Sequence, residues 1–209
     1  MSTATAMIIG ASSQLSQALA RQLSAQQVSL VLFVNDPESL NEFSQSLPGE
    51  VSVYPLAIDQ PDTLITQLNT AWTKHNGAHL VIVNTGVNDY DPSLPWTIDK
   101  LAIDINVMGF AAANNCIFKL MCDQGYGQLA AINSIAGQRG GPNVAYHASK
   151  AFAENYLQGL SMHAQRLKLP ITISDIQLGL FDKAVHLNTQ LLLSPIDKVA
   201  TQIISALQK

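Results

Sequence analysis

Tyr146 and Lys150 are the residues of this chain whose types and spacing most directly suggest chemistry. A separation of four residues places both side chains on one face of a helix. A phenol beside an ammonium group can act as a proton donor, because the positive charge favours the phenolate that remains. A surface lysine extending past a half-buried tyrosine would show the same spacing. Other residues must therefore decide between the two interpretations.

A glycine turn follows the first predicted strand, where Gly10 opens the segment Ala-Ser-Ser-Gln-Leu-Ser at the start of a helix. Such a turn presents free N–H groups and the positive end of the helix dipole to a phosphate. An ordinary turn capped by Ser12 or Ser13 is the alternative. The turn alone therefore indicates a phosphate site without deciding it.

Further polar residues lie at the ends of later strands. Asn84 ends the fourth predicted strand, Thr85 and Gly86 come after it, and Ser134 follows the fifth. Asn106 lies between Ile105 and Val107 inside an amphipathic helix, where a buried amide requires a hydrogen-bond partner. Taken singly, Asn106 is interpreted as a satisfied core amide and Ser134 as a strand-end hydroxyl.

The composition limits the class of protein. The 209 residues fit one domain spanning 1–209, and 47% of them are hydrophobic while only 12% are charged. This balance argues against disorder and indicates a dense core or an apolar subunit contact. There are 11 Lys and Arg against 15 Asp and Glu, with no basic run. The charge pattern needed for nucleic acid or an anionic membrane is absent, so we expect a small-molecule partner.

The two cysteines and the N-terminal residues further restrict the class of protein. Cys116 and Cys122 lie in one predicted helix on different faces, with no Cys/His cluster beside them, so we expect neither a disulfide nor a metal site. The N-terminus carries no basic region typical of a signal peptide, and the apolar runs are shorter than a membrane span. We therefore expect a cytoplasmic protein.

Short β-like runs alternate with helical patterns along the whole chain. Apolar runs and alternation predict six strands, at Ala4–Ile9, Val28–Val34, Val51–Leu56, His79–Asn84, Gln128–Asn133 and Ile171–Ile176. The helical periodicity predicts six helices, at Ser13–Gln26, Pro37–Ser46, Asp62–Lys74, Thr97–Asp123, Val144–Leu167 and Ser194–Leu207. This alternation predicts an α/β fold, a doubly wound parallel sheet of the Rossmann type in three α/β/α layers.

Together these residues resemble the short-chain dehydrogenase/reductase family, and the resemblance spans most of the chain. Asn106, Ser134, Tyr146 and Lys150 match the family's catalytic tetrad in order and separation. The resemblance implies that Tyr146 exchanges a proton with the substrate oxygen and that Ser134 hydrogen-bonds that oxygen. It also implies that Lys150 favours the ionised phenol and holds the nicotinamide ribose, and that Asn106 anchors a water that links Lys150 to solvent.

The resemblance also implies a cofactor, NAD or NADP. The residues matched to cofactor binding are Gly10, Ser12, Ser13, Gln14, Leu15, Asn35, Asp36, Asp59, Asn84, Thr85, Gly86, Tyr146, Lys150 and Gly179. No basic residue follows the second strand, and Asp36 lies close to the expected ribose site, which weakly favours NAD. Asp59 matches an aspartate that contacts adenine in the family, although a turn residue would fit equally well.

The chain departs from the family pattern mainly on the cofactor side. Ile9, Gln14 and Ser16 replace a threonine and two glycines of the family's turn. Ser16 is small enough to be tolerated, whereas the Gln14 side chain either obstructs the phosphate path or donates an amide N–H to it. After the sixth strand Gly179 is kept, but the family's proline and threonine are missing. Apolar residues in the next segment are candidates for the substrate pocket, namely Leu180, Phe181, Leu187 and Leu191 to Leu193.

Two functions remain open on this evidence. The intact tetrad favours an NAD(P)-dependent reductase or dehydrogenase acting on a carbonyl/alcohol pair of a small, mostly apolar substrate. The altered turn and the missing selector and lid favour a non-enzymatic binding or regulatory protein on the same scaffold. The resemblance further implies a homodimer or homotetramer that pairs through Thr97–Asp123 and Val144–Leu167. Phe110, Phe118, Phe152 and Tyr156 are the expected contact residues there.

Overall fold

Six parallel strands form one sheet at the centre of the molecule. The structure is a computed structural model and describes residues 4–179 and 194–208. The strands are β1 (Thr5–Ile9), β2 (Ser29–Val34), β3 (Val51–Pro55), β4 (Leu80–Val83), β5 (Gly127–Ser134) and β6 (Ile171–Leu178). Their order is β3-β2-β1-β4-β5-β6, the arrangement of the Rossmann fold. The six predicted strands are confirmed, each to within two residues at either end.

The central strands are apolar throughout because both of their faces are buried. In β1, Met7 and Ile9 contribute to the core on one face of the sheet, while Ala6 and Ile8 contribute to the core on the other. All four side chains are fully buried. A parallel strand covered on both sides gains free energy from every apolar residue, which explains the continuous apolar run in the sequence.

In the described part of the chain, seven α-helices cover the two faces of the sheet. They are α1 (Gln14–Ala25), α2 (Asn41–Gln45), α3 (Pro61–Lys74), α4 (Trp96–Ile103), α5 (Phe110–Gln124), α6 (Val144–Leu167) and α7 (Ile196–Leu207). The buried sides of α1 and α7 pack on one face, and those of α3, α5 and α6 pack on the other. The predicted doubly wound three-layer architecture is confirmed.

Two predicted helices differ from the structure in their internal geometry. The helix expected at Thr97–Asp123 runs from Trp96 to Gln124, but its Asp104–Gly109 segment between α4 and α5 is π-helical. In that turn Asn106 contacts Val87 and Gly109 packs against Ile58, and the helical periodicity of the sequence predicts neither contact. The helix expected at Pro37–Ser46 begins as a 3-10 turn, Pro37–Leu40, and the Asp36 carboxylate caps it by accepting a hydrogen bond from the Glu38 N–H.

The long helix Trp96–Gln124 bears on the expectation that the apolar runs are shorter than a membrane span. By length and composition alone it could cross a membrane, with a mean hydropathy of 1.4 over its most apolar window. Half of that window is buried inside the protein. A core helix passes the same test, and the contacts of α5 with the sheet account for its apolar character.

The expected subunit contacts are wrong for two of the four aromatic residues. Phe110 and Phe118 are 3% and 4% exposed and belong to the core of their own chain. Phe152 and Tyr156 are partly buried and stack on each other with ring centroids 5.5 Å apart. The apolar residues expected at Leu180, Phe181, Leu187 and Leu191 to Leu193 lie outside the described residues.

Gly109 offers a test of the packing between the π-helical turn and the segment that follows β3. A Cβ at this position would lie 2.2 Å from the Ile58 carbonyl oxygen, so backbone must move to admit it. We expect Gly109→Ala to lower the free energy of unfolding by about 1–3 kcal/mol, measured by urea denaturation.

Gly159 in α6 provides the matched control, because a Cβ there meets no atom within 4 Å. Alanine has the higher helix propensity, so Gly159→Ala should raise the free energy of unfolding by up to about 1 kcal/mol. Equal effects of the two substitutions would contradict the packing assigned to Gly109.

Candidate active site

A cavity of about 650 Å³ opens at the carboxyl ends of β4, β5 and β6, beside the turn that follows β1. This is the edge of a doubly wound sheet at which ligands bind. The residues lining it are Ser13, Gln14, Leu15, Asn84, Thr85, Gly86, Val87, Asn88, Ile132, Asn133, Ser134, Ile135, Ala136, Arg139, Tyr146, His147, Lys150, Leu178 and Gly179. Three of the four residues matched to a tetrad therefore face one cavity.

Gly10 brings the end of β1 against the end of β4. Its backbone has φ +92°, and a Cβ would lie 2.2 Å from the Asn84 carbonyl oxygen. The N–H groups of Gly10 and Ala11 both donate to the Phe33 carbonyl of β2, at 3.1 and 2.8 Å. Glycine is required here by both the backbone conformation and the close approach. The turn is therefore fixed to both strands that neighbour β1.

Two serine hydroxyls hydrogen-bond this turn to the end of β4. The Ser16 side chain is fully buried, and its hydroxyl donates to the Gly10 carbonyl at 2.8 Å. Asn84 Nδ2 donates to the hydroxyl oxygens of Ser13 and Ser16, both at 2.8 Å. Ser13 is also the N-cap of α1 and accepts from the Ser16 N–H at 3.0 Å. Ser16 is thus a structural link of the turn, a role that its small size alone did not predict.

Asn106 fixes the loop that follows β4. Its side chain is 3% exposed, accepts from the Val87 N–H at 2.8 Å and donates to the Val87 carbonyl at 2.8 Å. It donates a further bond to the Ser149 hydroxyl in α6, at 3.2 Å. These contacts satisfy the amide, as expected for a buried polar group, and join the π-helical turn to both the loop and α6.

Tyr146 and Lys150 lie on one face of α6, as their spacing predicts. Lys150 Nζ is 5.6 Å from the centroid of the Tyr146 ring. Ser134 ends β5 across the cavity, and its hydroxyl oxygen accepts from the Ala136 N–H at 3.1 Å. Since that bond uses the oxygen, the Ser134 O–H remains able to donate to a ligand.

Burial changes the protonation of Lys150. The residue is 9% exposed, and the loss of hydration lowers the pKa of its ammonium group to about 8. The carboxylate of Asp175 in β6 acts in the opposite direction and raises this pKa. Below pH 8 the cavity therefore contains a buried cation, and the Asp175 carboxylate offsets only part of the cost of burying it.

Comparison with known proteins agrees with this arrangement. The sequence profile of the short chain dehydrogenase family matches residues 4–191. The chain belongs to the short-chain dehydrogenase family. An uncharacterized oxidoreductase of Myxococcus xanthus is 29% identical over 82% of the chain and 70% of its own length. Sulfoacetaldehyde reductase 2 of Chromohalobacter salexigens is 27% identical over 79% of the chain and 69% of its own length. The chain is thus an oxidoreductase of this family.

Solved structures of short-chain dehydrogenases share the fold. A short-chain type dehydrogenase/reductase of Mycobacterium ulcerans superimposes with a TM-score of 0.86, covering 99% of this chain and 84% of that one at 18% identity. A metagenomic short-chain oxidoreductase, solved in complex with NADP, has a TM-score of 0.84 and covers 100% of this chain and 92% of that one, also at 18% identity. At this identity the likeness concerns the fold alone.

Several residues matched to cofactor binding in short-chain dehydrogenases lie away from the cavity. Asn35, Asp36 and Asp59 are exposed after β2 and β3, and none of them lines it. The Asp36 carboxylate caps the 3-10 turn through the Glu38 N–H at 3.1 Å. Gly10 and Ser12 shape the turn without lining the cavity, whereas Gln14 is exposed at its edge.

The structure adds polar residues that sequence reasoning missed. Asn133 donates from Nδ2 to the Lys150 carbonyl at 3.3 Å, and Asp175 lies on the adjacent strand. Within the described part of the chain, Asn133 Oδ1 and Asp175 Oδ1 are buried without a hydrogen-bond partner. Asp175 is the one charged residue of β6, and that was the available signal for it. His147 was also missed, although it lies inside the Tyr146–Lys150 motif.

The depressed pKa of Lys150 predicts a pH dependence of stability. Between pH 8 and its ordinary value of 10.5, the unfolded chain holds a proton that the folded chain has released. Stability should therefore rise with pH in this window, by up to about 1.4 kcal/mol per pH unit. Urea denaturation from pH 7 to pH 10 would measure it.

Lys150→Met is the control for this measurement, because it removes the titrating group and keeps an unbranched side chain. The difference in unfolding free energy between the native protein and the variant should increase above pH 8. Parallel curves for the two proteins would contradict the assigned pKa.

Proposed function

We propose that this short-chain dehydrogenase uses NAD(P) to interconvert a carbonyl and an alcohol on a small, mostly apolar substrate, with Tyr146 as general acid and base. The observation that carries the proposal is the convergence of Ser134, Tyr146 and Lys150 on one cavity. Apolar side chains complete the cavity and favour an apolar substrate, namely Leu15, Ile132, Ile135 and Leu178.

The residues present fit a nicotinamide dinucleotide. Thr85 Oγ1 lines the cavity and has no hydrogen-bond partner among the described residues, so a polar ligand group would satisfy it. The first turn of α1 carries unpaired N–H groups beside Gln14, as every helix N-terminus does, and these suit the pyrophosphate. When bound, the nicotinamide supplies or accepts the hydride.

Each tetrad side chain then has a role that its contacts support. Tyr146 would donate its proton to the substrate oxygen during reduction and accept one during oxidation. The Ser134 O–H would donate to the same oxygen, where negative charge develops. Lys150, with a pKa of about 8, is largely cationic at neutral pH and would hold the ribose hydroxyls. Asn106 would hold the loop after β4 in place through Val87.

NAD is the proposed cofactor in preference to NADP. Neither the glycine turn nor the segment after β2 contains Lys or Arg, while Asp36 and Glu38 are exposed after β2. A 2′-phosphate bound beside the end of β2 would therefore lie near two carboxylates, and neither of these segments supplies a positive charge. The metagenomic neighbour binds NADP, and one relative is named as an aldehyde reductase, which supports nicotinamide and carbonyl chemistry in general.

One experiment with two arms tests this proposal, and the first arm is binding. Calorimetric titration should give micromolar affinity for NADH and at least tenfold weaker affinity for NADPH. A Gln14→Gly variant shows whether the exposed amide helps or obstructs the phosphate. Binding by neither protein would overturn the assignment of the cofactor site.

The second arm is turnover of a panel of apolar aldehydes and ketones, followed by NADH absorbance. Tyr146→Phe should lower kcat by about 10²–10⁴-fold, because it removes only the proton donor, and should leave the NADH affinity within twofold. Tyr126→Phe is the matched control, since Tyr126 lies outside the cavity beside His79. Equal activity of the two variants would exclude Tyr146 as the general acid.

We further propose that two or four copies associate through the long helix Trp96–Gln124 and α6. Met108 and Met162 on these elements are 41% and 70% exposed, which is unusual for methionine in a chain with so few charges. Sedimentation should therefore show a dimer or tetramer, and a 22.5 kDa monomer at micromolar concentration would contradict it.

A further inference from the structure

The His147 ring connects α6 to the segment that follows β5. Its Nδ1 lies 2.9 Å from the Ala136 carbonyl oxygen and 3.0 Å from the Arg139 carbonyl oxygen. Carbonyl oxygens only accept hydrogen bonds, so Nδ1 must carry a proton. The geometry thus assigns the tautomer of His147: a proton on Nδ1, shared between two backbone carbonyls.

The ring has little freedom to leave this position. A Cβ on Gly141 would lie 2.3 Å from both Cε1 and Nε2 of His147, so the backbone of residue 141 rests directly on the ring. The Tyr146 ring packs against it edge-on, with centroids 6.0 Å apart and planes at 88°. His147 is therefore held between the loop before α6 and the tyrosine proposed to be catalytic.

Ala136 transmits this contact to Ser134. The Ala136 carbonyl accepts from His147, while the Ala136 N–H donates to the Ser134 hydroxyl oxygen at 3.1 Å. One residue thus connects the imidazole to the hydroxyl across the cavity. Because His147 follows Tyr146 directly on α6, its hydrogen bond joins the segment that carries Ser134 to the helix that carries Tyr146.

We propose that His147 is a positioning residue that fixes the Ser134 hydroxyl relative to Tyr146. The inference rests on the proposed function, because the position of Ser134 matters only if both groups bind one substrate oxygen. A displacement of about 1 Å in such a pair can reduce the rate by about 10²-fold. The His147 ring also lines the cavity, but in this role it acts through Ala136 and Ser134.

Side chains of matched geometry test the role of the Nδ1 proton. Asn at position 147 places an amide N–H near the Nδ1 position, Gln places it one bond further out, and Leu provides none. We expect His147→Leu and His147→Gln to lower kcat by 10- to 100-fold with NADH affinity within twofold. His147→Asn should remain within about threefold of the native kcat. Equal losses in all three variants, or no loss with Leu, would overturn the proposal.

A double-mutant cycle separates positioning from general destabilisation. If His147 acts through Ser134, His147→Leu should cost less than threefold in kcat when Ser134 is already Ala. A purely structural role would give the same fold-loss in both backgrounds, and that result would overturn the proposal. Assays well below the unfolding temperature of each variant keep the folded fraction constant.

Hydrogen exchange provides a readout that does not depend on turnover. Loss of the imidazole bond should speed exchange of the Ala136 N–H at least tenfold in His147→Leu, and His147→Asn should restore it. Unchanged exchange at Ala136 would refute the positioning role of His147 even if the enzyme is active. Faster exchange in a protein that reduces no carbonyl would instead support the link from His147 to Ala136 and refute the proposed function.

Discussion

The contact between Gly10 and the Asn84 carbonyl is the constraint on which the rest of the site depends. It lies between β1 and β4, where the strand order of the sheet reverses direction. Only a residue without Cβ lets the two strand ends approach this closely, since a Cβ would lie 2.2 Å from the oxygen. The helix α1 and the loop after β4 therefore leave the sheet side by side, and the cavity opens next to them.

Around this contact, polar side chains form a hydrogen-bond network. Ser13, Ser16 and Asn84 hydrogen-bond one another and the Gly10 carbonyl, so each buried polar atom of the turn has a partner. Such a fully satisfied network is rigid, because a shift of any one member would leave a buried group unpaired. Ser16, at one of the two positions where the family has glycine, thus fixes the turn by hydrogen bonds.

The opposite side of the cavity depends on α6 and the polar groups beneath it. Lys150 is buried with its pKa lowered to about 8, which costs stability that the apolar core must offset. Asp175 reduces that cost from the neighbouring strand, and Asn133 holds the backbone of Lys150. Free energy is therefore spent on keeping a cation in the cavity, which is typical of functional sites.

The sequence by itself determined the fold and the placement of Tyr146 and Lys150 on one face of a helix. Strands buried on both faces must be continuously apolar, so β1, β2 and β4 were visible as runs. The four-residue spacing placed Tyr146 and Lys150 on one helical face. Tertiary structure alone decided the rest. The π-helical turn at Asn106, the burial of Phe110 and Phe118 and the link through Ser16 arise from contacts with residues distant in the chain. Asn35, Asp36 and Asp59 matched the family by position, yet they lie outside the cavity. Likewise, the tautomer of His147 follows from two carbonyl oxygens that only the folded chain brings to one nitrogen.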